Sequence, residues 1–197
     1  MTLGYILQLF GQTLRAPRDV AQQILALDWP RQARWQALFL VAVLSIIAAQ
    51  IIQILSGEVV MTTLLGVTVS LAITIGLAQL IIMVVGAYAA DILGRLAGGR
   101  GSLDGAILLL AWLQAVLLIF QVIQIALLFA LPGLSTLMGL AAFVLSFWLL
   151  TVFIAELHGF RSMALVLLSI LMTMVLLGLV VSIVLGLLGV QLQLGGL

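Results

Sequence analysis

The chain has 197 residues, 65% of them hydrophobic and only 7% charged, with a formal net charge of +1. Soluble domains are about 45–50% apolar and about 25% charged, so a water-solvated globule is excluded and an integral membrane protein is expected. Cysteine is absent, which removes disulfides and thiolate metal sites.

The apolar segments are built from Leu, Ile, Val, Ala and Gly without dyad alternation, so they read as helices and not as strands of a barrel. The expected fold is all-α and polytopic: a cytoplasmic amphipathic segment over 1–34, then a five-helix transmembrane domain over 35–197.

In the first segment Leu3, Ile6, Leu7, Phe10 and Leu14 recur along one helical face, with Gln8, Gln12 and Arg15 largely elsewhere. After Pro17, suited to a first helical turn, Val20, Ile24 and Leu27 repeat the pattern beside Arg18, Asp19, Gln22 and Gln23. Two short helices in the membrane interface are expected, with Trp29 and Trp35 at headgroup depth; packing on a partner protein is the alternative. Asp19 and Asp28, and the lack of a basic-then-apolar arrangement with a small-residue cleavage site, do not fit a cleaved signal peptide. The first span is expected to act as its own insertion signal.

Charges and turn residues place the spans at about 35–55, 59–88, 103–131, 136–157 and 162–190, each long enough for the roughly 20 residues a bilayer needs. SGE ends the first, Asp91 follows the second, Pro132 and Gly133 break the third from the fourth, and ELHGFR separates the fourth from the fifth. Arg15, Arg18, Arg31, Arg34, Arg95, Arg100 and Arg161 all fall on one side of this alternating arrangement, and the opposite connections carry no base. The positive-inside rule then puts the N-terminus in the cytoplasm and the C-terminus outside. Exclusive use of arginine as the base points to a bacterial genome rich in G and C, hence to a bacterial inner membrane.

The hairpin GRLAGGRGSLDGA, residues 94–106, invites a phosphate-cradle reading because glycines ahead of a helix expose backbone N–H groups. Its spacing argues otherwise: counted from Gly99, the third glycine of a dinucleotide pattern is replaced by Asp104, and the chain has no lysine for a P-loop. No nucleotide or nucleic-acid partner is expected. Asp91 and Arg95 stand at i,i+4, Ser102 fits an N-cap, and Asp104 suits the dipole of the following first turn.

Six glutamines lie within the spans: Gln50, Gln53, Gln79, Gln114, Gln121 and Gln124. The last three fall within roughly 80° of one another on a helix, and Gln79 and Gln114 are expected near the midplane. They read as interhelical hydrogen-bonding groups or as a polar pathway for a small solute or lipid headgroup. Small residues form stripes at Gly66, Ser70, Thr74 and Ala78 on the second span and at Gly178, Ser182 and Gly186 on the fifth, which predicts close helix packing in a bundle or homo-oligomer. Trp112 and Trp148 are expected at similar depth, as packing or lipid-facing residues.

His158 is the only histidine, so a two-histidine zinc site is excluded. A cluster of Asp91, Arg95, Arg100, Asp104, Glu156, His158 and Arg161 is expected where two cytoplasmic loops meet, read as solvated loop ends that fix topology. No catalytic, cofactor or metal site is expected. The partners expected are membrane lipid and either another membrane protein or a second copy.

The arrangement resembles the Yip family, small five-span membrane proteins named for interaction with Ypt/Rab-type GTPases. The resemblance lies in APRD and the Trp before the first span, in LAGGRGSLDGAILLLAW, and in FWLLTVFIAELHGFRSMAL, with the glycine-rich loop and the HGFRSMAL segment like the bacterial branch. It implies a five-helix bundle with a cytoplasmic N-terminus. GTPase binding is not implied, because the N-terminal region is short and lacks a DLYGP-like segment; a proline common early in the third span is replaced by AWLQA at 111–115. The expected function is a non-enzymatic membrane scaffold or accessory subunit, with a permease or channel for a small neutral solute or lipid as the alternative.

Overall fold

The computed structural model describes residues 3–56, 61–64 and 67–187. These form α1 (Leu3–Arg15), α2 (Pro17–Leu25), α3 (Arg31–Leu55), a hairpin of β1 (Met61–Leu64) and β2 (Val67–Ser70), then α4 (Leu71–Leu96), α5 (Leu103–Ala130), α6 (Pro132–His158) and α7 (Met163–Leu187). Five helices, α3 to α7, are long and apolar enough to cross a membrane. The protein is an all-helical multi-pass membrane protein with one small hairpin.

Helix ends follow local chemistry. Pro17 and Pro132 occupy first-turn positions, where a missing N–H costs nothing. Only Leu131 separates α5 from α6, so these two helices reverse on each other. Ser102 caps α5, its Oγ accepting from the Gly105 N–H at 3.2 Å. α4 and α6 end in left-handed glycines, Gly98 at φ 84° and Gly159 at φ 71°. In both cases the next N–H closes back on the helix: Gly99 donates to the Gly94 carbonyl at 2.8 Å, and Phe160 donates to the Ala155 carbonyl at 2.8 Å.

The second span differs from expectation. The sequence predicts a helix from residue 59, but Met61–Leu64 and Val67–Ser70 pair as antiparallel strands with Met61 opposite Ser70 and Leu64 opposite Val67, and the helix begins at Leu71. The run Met61–Ser70 is rich in Val and Thr, whose branched side chains favour extended backbone; hydropathy alone does not register that preference. The small-residue stripe on this span is therefore interrupted. Gly66 lies outside the described residues, Ser70 belongs to β2, and only Thr74 and Ala78 are on α4. The close approach on α4 is instead at Gly76, where an added Cβ would lie 2.5 Å from Ile46 Cγ1 of α3.

α5 is central and packs on α2, α3, α4 and α6. The largest core joins Leu9 of α1 and Val20, Ala21 and Ile24 of α2 to α5 (Leu109, Leu113, Val116) and α6 (Leu149, Val152, Phe153). The two N-terminal helices thus direct their apolar residues at the chain's own bundle. Phe10 meets Phe120 with ring centroids 5.9 Å apart, and Trp112 Nε1 donates to Thr13 Oγ1 at 3.1 Å. At 1.5 Å per residue the Trp112 contact lies about 14 Å and the Phe120 contact about 25 Å along α5 from Leu103, so α1 runs up the bundle. Leu7 and Leu14, on the edge of the same apolar stripe, stay exposed. α7 packs on α6 near its start, through Val166 and Ile170 against Ala155; among the described residues beyond that point most apolar side chains are exposed.

Candidate functional site

Two places gather the polar groups singled out in the sequence. The first is the basic end, where the α2–α3, α4–α5 and α6–α7 connections meet. Here His158, the last residue of α6, is buried. Its ring lies among three glycines of the α4–α5 hairpin: a Cβ at Gly99 would stand 2.6 Å from His158 Cβ, and one at Gly94 or Gly101 would overlap the imidazole. Nδ1 accepts from the Gly101 N–H at 3.1 Å, which places the proton of the neutral ring on Nε2. Phe160 stacks on the ring at 5.4 Å and 21°, a position that the left-handed turn at Gly159 permits. The Arg100 N–H donates to the His158 carbonyl at 3.3 Å. The glycine-rich hairpin is therefore an imidazole cradle.

The remaining charges divide into local contacts. Asp91, buried, pairs with Arg95 across one turn. Asp104 lies 3.6 Å from Arg31 and 4.0 Å from Arg34, tying α5 to the start of α3, and Arg34 Nε also donates to the Trp29 carbonyl at 2.8 Å. Glu156 Oε1 accepts from Gln22 Nε2 at 2.7 Å, joining α2 to α6. Arg100 and Arg161 are exposed. Of the seven residues grouped from sequence, Asp91, Arg95 and His158 converge, whereas Asp104 and Glu156 are drawn to partners in the N-terminal segment. Among the described residues no group of three His, Cys, Asp or Glu side chains is placed to hold a metal ion.

The second place is a cleft of about 240 Å³ between α4, α5 and α6. Gln79, Gln114, Gln121 and Gln124 all line it, with Gly139 and Ser146 on the facing helix. Gln114 is buried and donates from Nε2 to Ser45 Oγ of α3 at 2.8 Å, which fixes its amide. Gln121 Oε1 is buried without a hydrogen-bond partner among the described residues. The Gln124 amide lies against Gly139, where an added Cβ would stand 3.0 Å from Nε2. Gln50 and Gln53 sit on α3, each with an interaction of its own, and are not among the described residues that line the cleft.

Sequence reasoning did not single out Ser45 and Thr13, the hydroxyl partners of Gln114 and Trp112. Each is an isolated hydroxyl on an otherwise apolar face, and that isolation was the available signal. On α7, Gly178 and Ser182 are exposed, and nothing lies within 4 Å of a Cβ built on Gly178; Gly186 is helical. Gly178 and Ser182 are thus turned away from the bundle.

A family model described as the Yip1 domain matches residues 11–185. No curated protein and no solved structure matches the chain.

Proposed function

The chain belongs to the Yip1 domain family, and from that premise we propose that it is a non-enzymatic scaffold or accessory subunit of a bacterial inner membrane, its basic end in the cytoplasm, associating with another membrane protein or a second copy and organising the surrounding lipid. The observation that carries this reading is α7. Gly178 and Ser182 present a four-residue small spacing with open space in front of it, on a helix whose outer part has little packing against its own bundle. Such spacing lets a second helix backbone approach closely. The orientation rests on the seven arginines at one end. A role without catalysis rests on Asp91, Asp104 and Glu156 being held by Arg95, Arg31 with Arg34, and Gln22.

The test is extraction in mild detergent and native electrophoresis of the wild type and of Gly178→Leu combined with Gly186→Leu. The complex is expected to dissociate in the variant; a complex of unchanged size removes the α7 reading. The glutamine-lined cleft supports a second reading, passage of a small neutral solute or lipid. Gln114→Leu with Gln121→Leu should then abolish flux in reconstituted vesicles, and undiminished flux would eliminate it.

A further inference from the structure

We infer that the cleft between α4, α5 and α6 is a binding site for an uncharged, hydroxyl-bearing headgroup carried by a lipid, of the diacylglycerol type. This rests on the glutamine-cleft reading but requires no transport, and it is independent of association through α7.

The lining decides the chemistry. Among the described residues no charged side chain borders the cleft, so a phosphate meets no cation there and an ammonium no carboxylate. Carboxamides donate and accept at once, as a hydroxyl does. The Gln121 carbonyl oxygen is buried and lacks a donor among the described residues; in hydrocarbon surroundings no bulk water supplies one, so a ligand O–H is the complementary group. Gln114 is already oriented by Ser45, which leaves the site pre-shaped on that side.

Size and position point to a lipid. The cleft measures about 240 Å³, whereas a single water needs only about 10–15 Å³ of such volume. Counted from the basic ends of their helices, Gln114 and Ser146 lie about 16–18 Å deep and Gln121 and Gly139 about 27–28 Å deep, so the cleft runs from the middle of the membrane into its outer half. Phe143 lines the cleft yet is 61% exposed, and Leu140 and Val144 beside it are exposed as well. The mouth therefore opens sideways onto the lipid-facing surface of α6, where acyl chains would lie while the headgroup turns inward.

The experiment is native mass spectrometry of the full chain released from phosphatidylcholine nanodiscs doped with diacylglycerol, for the wild type, Gln121→Leu and Gly139→Leu. Thermal unfolding of each protein is followed in parallel. Wild type is expected to retain one diacylglycerol per chain and both variants about tenfold less: Gln121→Leu removes about one well-made hydrogen bond, and Gly139→Leu puts a side chain into the cleft beside Gln124. Wild type alone supplies a second comparison that no folding defect can disturb. A triacylglycerol, whose third hydroxyl is esterified, should be retained about tenfold less than diacylglycerol. Equal retention in all three proteins, or equal retention of the two lipids, overturns the site. Displacement of diacylglycerol by free glycerol at matched concentration overturns the lipid-borne source. Lipid retained by a protein that moves nothing in vesicles ends the transport reading and leaves this one standing.

Discussion

A buried imidazole surrounded by glycines has little freedom of position. His158 fixes the distance between the α4–α5 and α6–α7 connections, because its Nδ1 holds the Gly101 N–H and its ring fills the space that three absent side chains leave open. Gly99→Ala should therefore lower stability by about 1–3 kcal/mol, since the methyl would press on the His158 Cβ at the root of the side chain. His158→Ala should cost about 2–4 kcal/mol through the void and the orphaned N–H together. Thermal unfolding in detergent measures both, and a Gly99→Ala protein as stable as wild type would mean that the cradle yields freely. Contacts within one turn were legible in the sequence: Asp91 with Arg95, and Ser102 with the first turn of α5, follow from spacing alone. The cradle was not, because Gly101 and His158 are 57 residues apart and no local rule relates them. The same holds for Asp104, which is as well placed for the α5 dipole as expected but is also claimed by Arg31 and Arg34.

Among elements, α2 is where the N-terminal segment is fastened. Val20 and Ala21 are fully buried against the bundle, and Gln22 reaches Glu156 of α6. Val20→Asp places a carboxylate in that seam without a partner and should detach α1 and α2. Limited trypsin digestion of the folded protein should then cut at Arg15 and Arg18 much faster than in wild type, and an unchanged rate would place the fastening elsewhere. Apolar periodicity revealed both helices, and arginines and prolines revealed the spans, because each is a property of a short window. Periodicity does not say what covers a face. The stripe of α1 continues through Leu7 and Leu14, which are exposed, while Leu9 and Thr13 at its other edge are buried. The β-hairpin at Met61–Ser70 was missed because a run of valines and threonines is as apolar as a helix end would be, and only their branching marks it as extended.

At the scale of the molecule, one end carries every arginine and the other carries a hairpin and the Leu131–Pro132 turn. The chain has no cysteine, so single introduced cysteines report sidedness directly. In intact cells an impermeant maleimide is expected to label Gly133→Cys and to spare Arg100→Cys until the membrane is opened; the reverse pattern would invert the orientation proposed above. Five spans were readable because composition and charge are global quantities that survive ignorance of every contact, and the family was readable by resemblance, from the glycine-rich loop and the segment around HGFRSMAL. The glutamine cleft was half readable: Gln114, Gln121 and Gln124 share a helical sector, but the addition of Gln79 and the loss of Gln50 and Gln53 depend on how α3 and α4 flank α5.

The seat of α1 also sets an order of events during synthesis. Thr13 bonds to Trp112, 99 residues downstream. At about 5–20 residues per second, a ribosome takes about 5–20 s to produce that partner after Thr13 itself. Through that interval α1 and α2 have no bundle to join. They must wait at the membrane surface or on a chaperone until α5 and α6 have been inserted, so a segment translated ahead of all five spans reaches its place only after the third and fourth of them.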